Sequence, residues 1–188
     1  MSATYDTIGW LWGGWALYWL IAARNAKAVA RRESVTSRLG HLLPLAIAGL
    51  LLGVRHIPGW LGERWVEPGE TIDTIGIALV AAGLLFCVWA RIALGGNWSG
   101  TVTLKHDHAI VRSGPYRLIR HPIYTGLLVA FAGSPVALGQ WRGWLALAIA
   151  AAALWRKLRI EERWLLETFG ADYATYRATT WALIPFML

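Results

Sequence analysis

Residues 112–126 read RSGPYRLIRHPIYTG, and from Pro122 the chain continues without a formal charge to Trp141. That uncharged run is 20 residues long, which meets the roughly 20 mostly apolar residues that a helix needs to cross a bilayer. Just ahead of it stand Arg112, Arg117, Arg120 and His121, so a cationic segment feeds directly into an apolar helix. Charged groups at such an edge are costly unless they serve a purpose, which marks the edge as a candidate site.

Four shorter uncharged runs lie on either side, at 7–23, 39–54, 74–90 and 143–155. Each reaches spanning length by borrowing flanking residues with long stems, such as Arg24, Arg91, Arg156 and Lys157. Composition agrees with this: 56% of the 188 residues are hydrophobic and 15% are charged. A soluble domain carries about 25% charged residues. The length suits one domain. The sequence therefore predicts an all-α fold, an integral membrane bundle of five transmembrane helices at about 7–23, 39–56, 73–94, 122–140 and 142–157. The segments 95–124 and 156–186 remain outside the spans.

Fifteen of the 18 Lys and Arg residues fall in alternate loops, at 24–38, 91–120 and beyond 155. Under the positive-inside rule this puts the N-terminus out and the C-terminus in, in what we expect to be the inner membrane of a prokaryote. The net charge of +7 lies at membrane flanks, so its expected partners are lipid headgroups and not nucleic acid. Cys87 is the single cysteine, which excludes an intrachain disulfide. No positively charged segment precedes the first apolar run, so that run reads as a retained helix and not a cleaved signal. Ionisable residues are almost absent from mid-span, which argues against a transporter subunit or lipid scaffold, the non-enzymatic alternatives.

Pro122 suits the first turn of a helix, where its missing N–H costs nothing, and this puts His121 at or beside the N-cap and Tyr124 inside the first turn. The free N–H groups of that turn suit a carboxylate or phosphate; the bland alternative is an interfacial His and Tyr with a snorkelling Arg. The second informative stretch is RIEERWLLETFGADY at 159–173. Its adjacent carboxylates, Glu161 and Glu162, point about 100° apart on a helix, so only one can face a given pocket squarely. They can equally be a solvated face balanced by Arg156 or Lys157. Apolar and aromatic residues recur at helical steps from Leu158 to Tyr176, with a break at Gly170, as expected of a C-terminal helical segment folded back on the bundle on the cytoplasmic side. His106-Asp107-His108 lacks the spacing of a metal site, and no metal is expected.

In order and spacing, GGNWSGTVTLKHDHAIVRSGPYRLIRHPIYTG and RIEERWLLETFGADYATYR…IPF resemble the isoprenylcysteine carboxyl methyltransferase family, which is related to the phospholipid N-methyltransferases. The resemblance covers about residues 94–186; the first two spans match only in hydropathy. It implies S-adenosylmethionine as methyl donor, with cofactor contacts on His108, Val111, Tyr116, His121, Pro122, Ile123, Tyr124, Glu161 and Glu162. It also implies an arginine that meets the substrate, with Arg156 and Arg159 as candidates beside Lys157, and catalytic roles for His121 and Tyr124. A basic residue common in the family ahead of Asn-Trp-Ser is replaced by Gly96.

The implied acceptor is lipophilic and enters from the bilayer. A carboxylate acceptor is already ionised at pH 7 and needs only orientation and a dry site. An amine or thiol must first lose a proton, for which His121, Tyr124 or a glutamate is available. A carboxyl O-methyltransferase is the leading expectation; phospholipid N-methylation and small-thiol S-methylation are the alternatives.

Overall fold

The structure is a computed structural model that describes residues 2–25, 29–98, 103–105 and 110–186. Five long helices form the bundle: α1 (Ser2–Ala22), α2 (Val35–Gly53), α3 (Glu70–Leu94), α4 (Pro122–Leu138) and α5 (Trp141–Phe169). A short α6 (Ala171–Ala178) follows. Two of the long helices, Val35–Gly53 and Glu70–Asn97 (α3 with the turn after it), are long and apolar enough to cross a membrane, and Pro122–Leu138 is a shorter apolar helix. The fold departs from the all-α expectation at one place. Strands β1 (Val29–Arg32) and β2 (Thr103–Lys105) pair antiparallel where the sequence suggested loops. Two short segments that follow helix ends satisfy each other's main-chain groups in this way.

Helices α3 and α4 pack most closely, for a reason visible in their glycines. A Cβ on Gly83 would meet the Gly126 carbonyl and the Ala130 backbone, and one on Gly133 would meet Gly76 and Val80. Small residues on both faces let the backbones approach as side chains could not. The contact fixes α4 and thus the N-terminal end that presents His121. Pro135 lies inside α4, and the indole N–H of Trp65 donates to the Pro135 carbonyl at 3.1 Å.

Helix α3 stops where Gly95 takes φ +57°, and α5 stops where Gly170 takes φ +51°, a region glycine enters without the Cβ penalty. The turn at Gly170 reverses the chain into α6. The tail then runs alongside the entry to α4. Arg120 N–H donates to the Trp181 carbonyl at 2.8 Å, His121 N–H to Ala182 at 3.1 Å, and Trp181 N–H to Leu118 at 3.0 Å. The cationic segment before α4 is therefore held by main-chain bonds to residues 61 to 63 positions later.

The outward faces of α1, α2 and α3 remain apolar, with Trp10, Leu20, Leu50, Leu85 and Ile92 largely exposed. An apolar exterior of this extent is what a lipid or protein partner covers.

Candidate functional site at the glutamate pair

His121 is the N-cap of α4 and Pro122 its first residue, as the RHP spacing predicts. The imidazole is buried between the two glutamates of α5. Its Nε2 lies 3.1 Å from Glu162 Oε1 and its Nδ1 lies 3.6 Å from Glu161 Oε2. The adjacent carboxylates diverge around the helix as expected, and His121 is placed where it reaches one oxygen of each.

Glu162 is the hub. Its Oε1 accepts from Arg120 Nε at 2.7 Å and from the Tyr173 hydroxyl at 2.9 Å, in addition to His121. Its Oε2 has Arg177 Nε at 3.4 Å. Burial pushes the Glu162 carboxyl up, but the hydrogen bonds from His121 and Arg120 outweigh it and hold the group down at about 2. The Tyr173 hydroxyl is pushed up by burial and by the neighbouring carboxylate, so it stays a donor. Burial likewise raises Tyr176 to about 12, and its hydroxyl donates to the Tyr116 carbonyl at 2.7 Å.

Glu161 faces the bundle interior. Its Oε2 accepts from the Tyr124 hydroxyl at 2.7 Å, and Lys157 Nζ lies 3.9 Å from Oε1. The Tyr124 ring stacks on His121 with centroids 5.3 Å apart. Tyr116, Ile123 and Tyr124 are buried together with Trp98, Leu154 and Leu158, and Val111 packs against them. Pro122 is fully buried beside them.

On the far side of Glu162 opens a recess of about 350 Å³ lined by Arg120, Arg159, Arg163 and Arg177, with Trp155 and Leu166 on its apolar wall. Four guanidinium groups against one carboxylate leave it strongly cationic. Among the described residues, no hydrogen bond or ion pair engages Arg159 or Arg163. Arg156 is turned elsewhere: its Nη1 donates to the Ser37 carbonyl of α2 at 2.9 Å.

The structure thus brings together Tyr116, His121, Tyr124, Glu161 and Glu162, with Val111, Pro122 and Ile123 in the adjoining wall. Of the two candidate arginines, it puts Arg159 in the recess and Arg156 on α2. His108 lies outside the described residues, as does the rest of the His106-Asp107-His108 tripeptide. Three members were not foreseen. Arg120 read as a membrane flank, and Tyr173 and Arg177 read as part of a packing segment. The signal for Arg120 was its place beside His121, whereas Tyr173 and Arg177 reach Glu162 only through the turn at Gly170.

The sequence pattern of the phospholipid methyltransferase family matches residues 72–172. Protein-S-isoprenylcysteine O-methyltransferase A of Arabidopsis thaliana is 25% identical over 159 residues, covering 81% of this chain and 76% of the relative. Methanethiol S-methyltransferase 1 of Bradyrhizobium diazoefficiens is 36% identical over 70 residues, covering 37% of this chain and 24% of the relative. Among solved structures, the eukaryotic intramembrane Ras methyltransferase, isoprenylcysteine carboxyl methyltransferase, superposes with a TM-score of 0.55 at 23% identity over 81% of this chain. That likeness is one of fold, and this chain spans 50% of the solved chain.

Proposed function

The chain belongs to the phospholipid methyltransferase family, and from that premise we propose that it transfers a methyl group from S-adenosylmethionine to the carboxylate of a lipophilic acceptor at a membrane interface. The protein is an enzyme, a methyltransferase. The acceptor class follows the Arabidopsis relative, named for O-methylation of isoprenylcysteine. The observation that carries the reading is the cationic recess beside Glu162, the feature a carboxylate would seek.

The residues present fit the cofactor. When bound, it supplies a methyl group activated on a cationic sulfur. Glu161 and Glu162 offer two negative charges to a cationic ligand, while Trp98, Tyr116 and Tyr124 offer an apolar wall. Glu162 Oε1 is saturated by three donors, so Oε2 is the oxygen with capacity left for a ligand. Arg159 orients the acceptor through its planar fork and excludes the need for a base, since the acceptor is already ionised. His121 stacks on Tyr124 and keeps both glutamates in register.

All five long helices span the membrane in this reading, one domain over 1–188, with the site segments 95–124 and 156–186 on the cytoplasmic side. The acceptor then arrives through lipid and the cofactor through water. S-methylation of a small thiol is the second reading, favoured by the match to the thiol methyltransferase over residues that make up 37% of this chain.

One assay separates them. Protein in detergent is given radiolabelled cofactor and lipid extract, and turnover is followed from about pH 6 to 8. A carboxylate acceptor, with its pKa near 4, gives a flat profile and an alkali-labile methyl ester. A thiol gives a rate that rises with pH and an alkali-stable product, which would overturn the ester reading. Arg159→Lys should lower turnover about tenfold while sparing cofactor affinity, because Lys cannot reproduce the fork.

A further inference from the structure

Apart from the recess at Glu162, an apolar cavity of about 450 Å³ lies between α1, α2 and α4. Helix α1 packs on α3 and α4, and α2 packs on α5, so α1 and α2 face each other across the cavity. Ile8, Trp12, Leu52, Phe131 and Leu138 give it an apolar lining. One end is closed. There the Tyr5 hydroxyl joins α1 to the end of α2, bonding to the Leu52 carbonyl at 2.6 Å and to the Val54 carbonyl as well. The buried guanidinium of Arg142 lies over the Tyr5 ring and backs this closure.

The walls are built to leave room. Gly9 of α1 and Gly49 of α2 line the cavity, and a Cβ on either would meet nothing within 4 Å. Glycine inside a helix is less favourable than alanine, and no neighbour requires it at these two positions. Gly83 and Gly126 differ, since their missing side chains let α3 and α4 touch. The cavity also adjoins the site. Leu45 and Leu127 line it and pack against the cluster that holds Ile123, Tyr124 and Leu158. Leu127 is about one turn along α4 from Tyr124, and from Leu127 to Leu138 the helix rises about 16 Å. On α1, Trp15 of the cavity wall stacks on Trp19 at 4.6 Å. Trp19 in turn meets Trp98 of the site wall edge-on at 5.6 Å.

We propose that this cavity holds the hydrocarbon chain of the acceptor, and that its closed end at Tyr5 limits the length of chain accepted. The proposal rests on the reading of a lipophilic acceptor and names where its unreacting part binds. A cavity of this volume with apolar walls is of the size that binds small ligands. A chain lying along α4 from Leu138 to Leu127 brings its polar head to the Tyr124 end, beside the glutamate pair. Each methylene that enters the cavity leaves water and adds affinity, and one that finds no room adds none. Gly9 and Gly49 are then specificity-determining positions, one on each wall. A small thiol would have nothing to fill the space they leave.

Methyl transfer from radiolabelled S-adenosylmethionine to N-acetyl-S-alkylcysteines of increasing chain length, with the full chain in detergent, tests this. In wild type kcat/KM should rise by up to about fourfold per methylene while the chain fits, then level off. Gly49→Leu fills the cavity. Because Leu is the better helix former, the melting temperature of this variant should be equal or higher. Titration with S-adenosylhomocysteine should show affinity within about twofold of wild type. Its kcat/KM should nonetheless fall about tenfold or more for the longest chains and progressively less for shorter ones, with the levelling-off moved to shorter chains. Gly9→Leu, on the facing wall, should act alike. An unchanged chain-length profile in both variants overturns the proposal, and so does a loss equal at all lengths. If wild type methylates none of the series yet labels a lipid extract, the carboxylate reading fails instead. The variants are then scored on that extract, where lost turnover upholds the cavity and full turnover overturns it.

Discussion

Two groups of cations in this bundle are satisfied in opposite ways. At the end near the α4–α5 turn, Arg142 is fully buried, yet among the described residues no carboxylate pairs with it. Its Nε donates to Gln140 Oε1 at 2.8 Å, Nη1 donates to the Val54 carbonyl, and its guanidinium lies over the Tyr5 ring at 5.5 Å. Arg64 beside it donates to the Leu138 carbonyl at 3.1 Å and the Val66 carbonyl at 3.0 Å. At the glutamate end, Arg120, Arg177, Lys157 and His121 converge on carboxylates, and Arg159 and Arg163 face a recess. A cation whose donors end on main-chain oxygens ties loops together. Cations gathered around carboxylates, with donors to spare, hold charge ready for something that arrives.

The largest effect should come from breaking the hub. Glu162→Ala leaves Arg120 and Arg177 without their anion, and truncating one member of a buried pair costs about 3–5 kcal/mol. Turnover measured with radiolabelled cofactor should fall by at least about a hundredfold and cofactor affinity by about tenfold or more. Retained turnover would mean that the two ends are alike, both structural.

Arg142→Met should give the complementary result. It leaves the Gln140 side-chain oxygen without its Arg142 donor and the Val54 carbonyl with the Tyr5 hydroxyl alone, at about 1–3 kcal/mol for an unsatisfied group. Thermal unfolding in detergent should show the loss, while titration with S-adenosylhomocysteine shows affinity within about twofold of wild type. A drop in affinity matching the loss of stability would make Arg142 part of the site.

The smallest effect is a difference in pH response. The Glu162 carboxyl is held at about 2, below its ordinary 4.5. A depressed carboxyl contributes stability that is fully present above its unfolded value and is lost as pH falls through its folded one. The stability gap between wild type and Glu162→Gln should be constant above pH 4.5 and shrink as pH is lowered toward 2. The gap between wild type and Arg142→Met should not change over that window, since its partners are a side-chain amide and a main-chain carbonyl. Melting curves across the range compare the two directly.

The site was legible in the sequence wherever its chemistry is local. His121 at the cap follows from Pro122 at the first turn, and the divergence of Glu161 from Glu162 follows from the helical repeat. Tyr116 and Val111 entered only through resemblance to a family, because nothing in RSGPYR alone distinguishes a wall residue from an interfacial one. Arg156 and Arg159 could not be separated by spacing, since either sits within reach of the glutamates along the chain. Residues 29–32 and 103–105 fall in segments that read as loops, because a pair of strands this short has no periodic pattern to detect.

By itself the sequence determined the helices, their ends and the gathering of basic residues in alternate loops. Those features depend on runs of apolar residues, on proline and glycine, and on charge, each of which acts within a few positions. Only the tertiary structure decided which cation meets which anion. The rotation of α5 sends Arg159 to the recess and Arg156 to α2, and the turn at Gly170 returns Tyr173 and Arg177 to Glu162. A charge's partner depends on distance in space, and that distance is set by the packing of helices far apart in the chain.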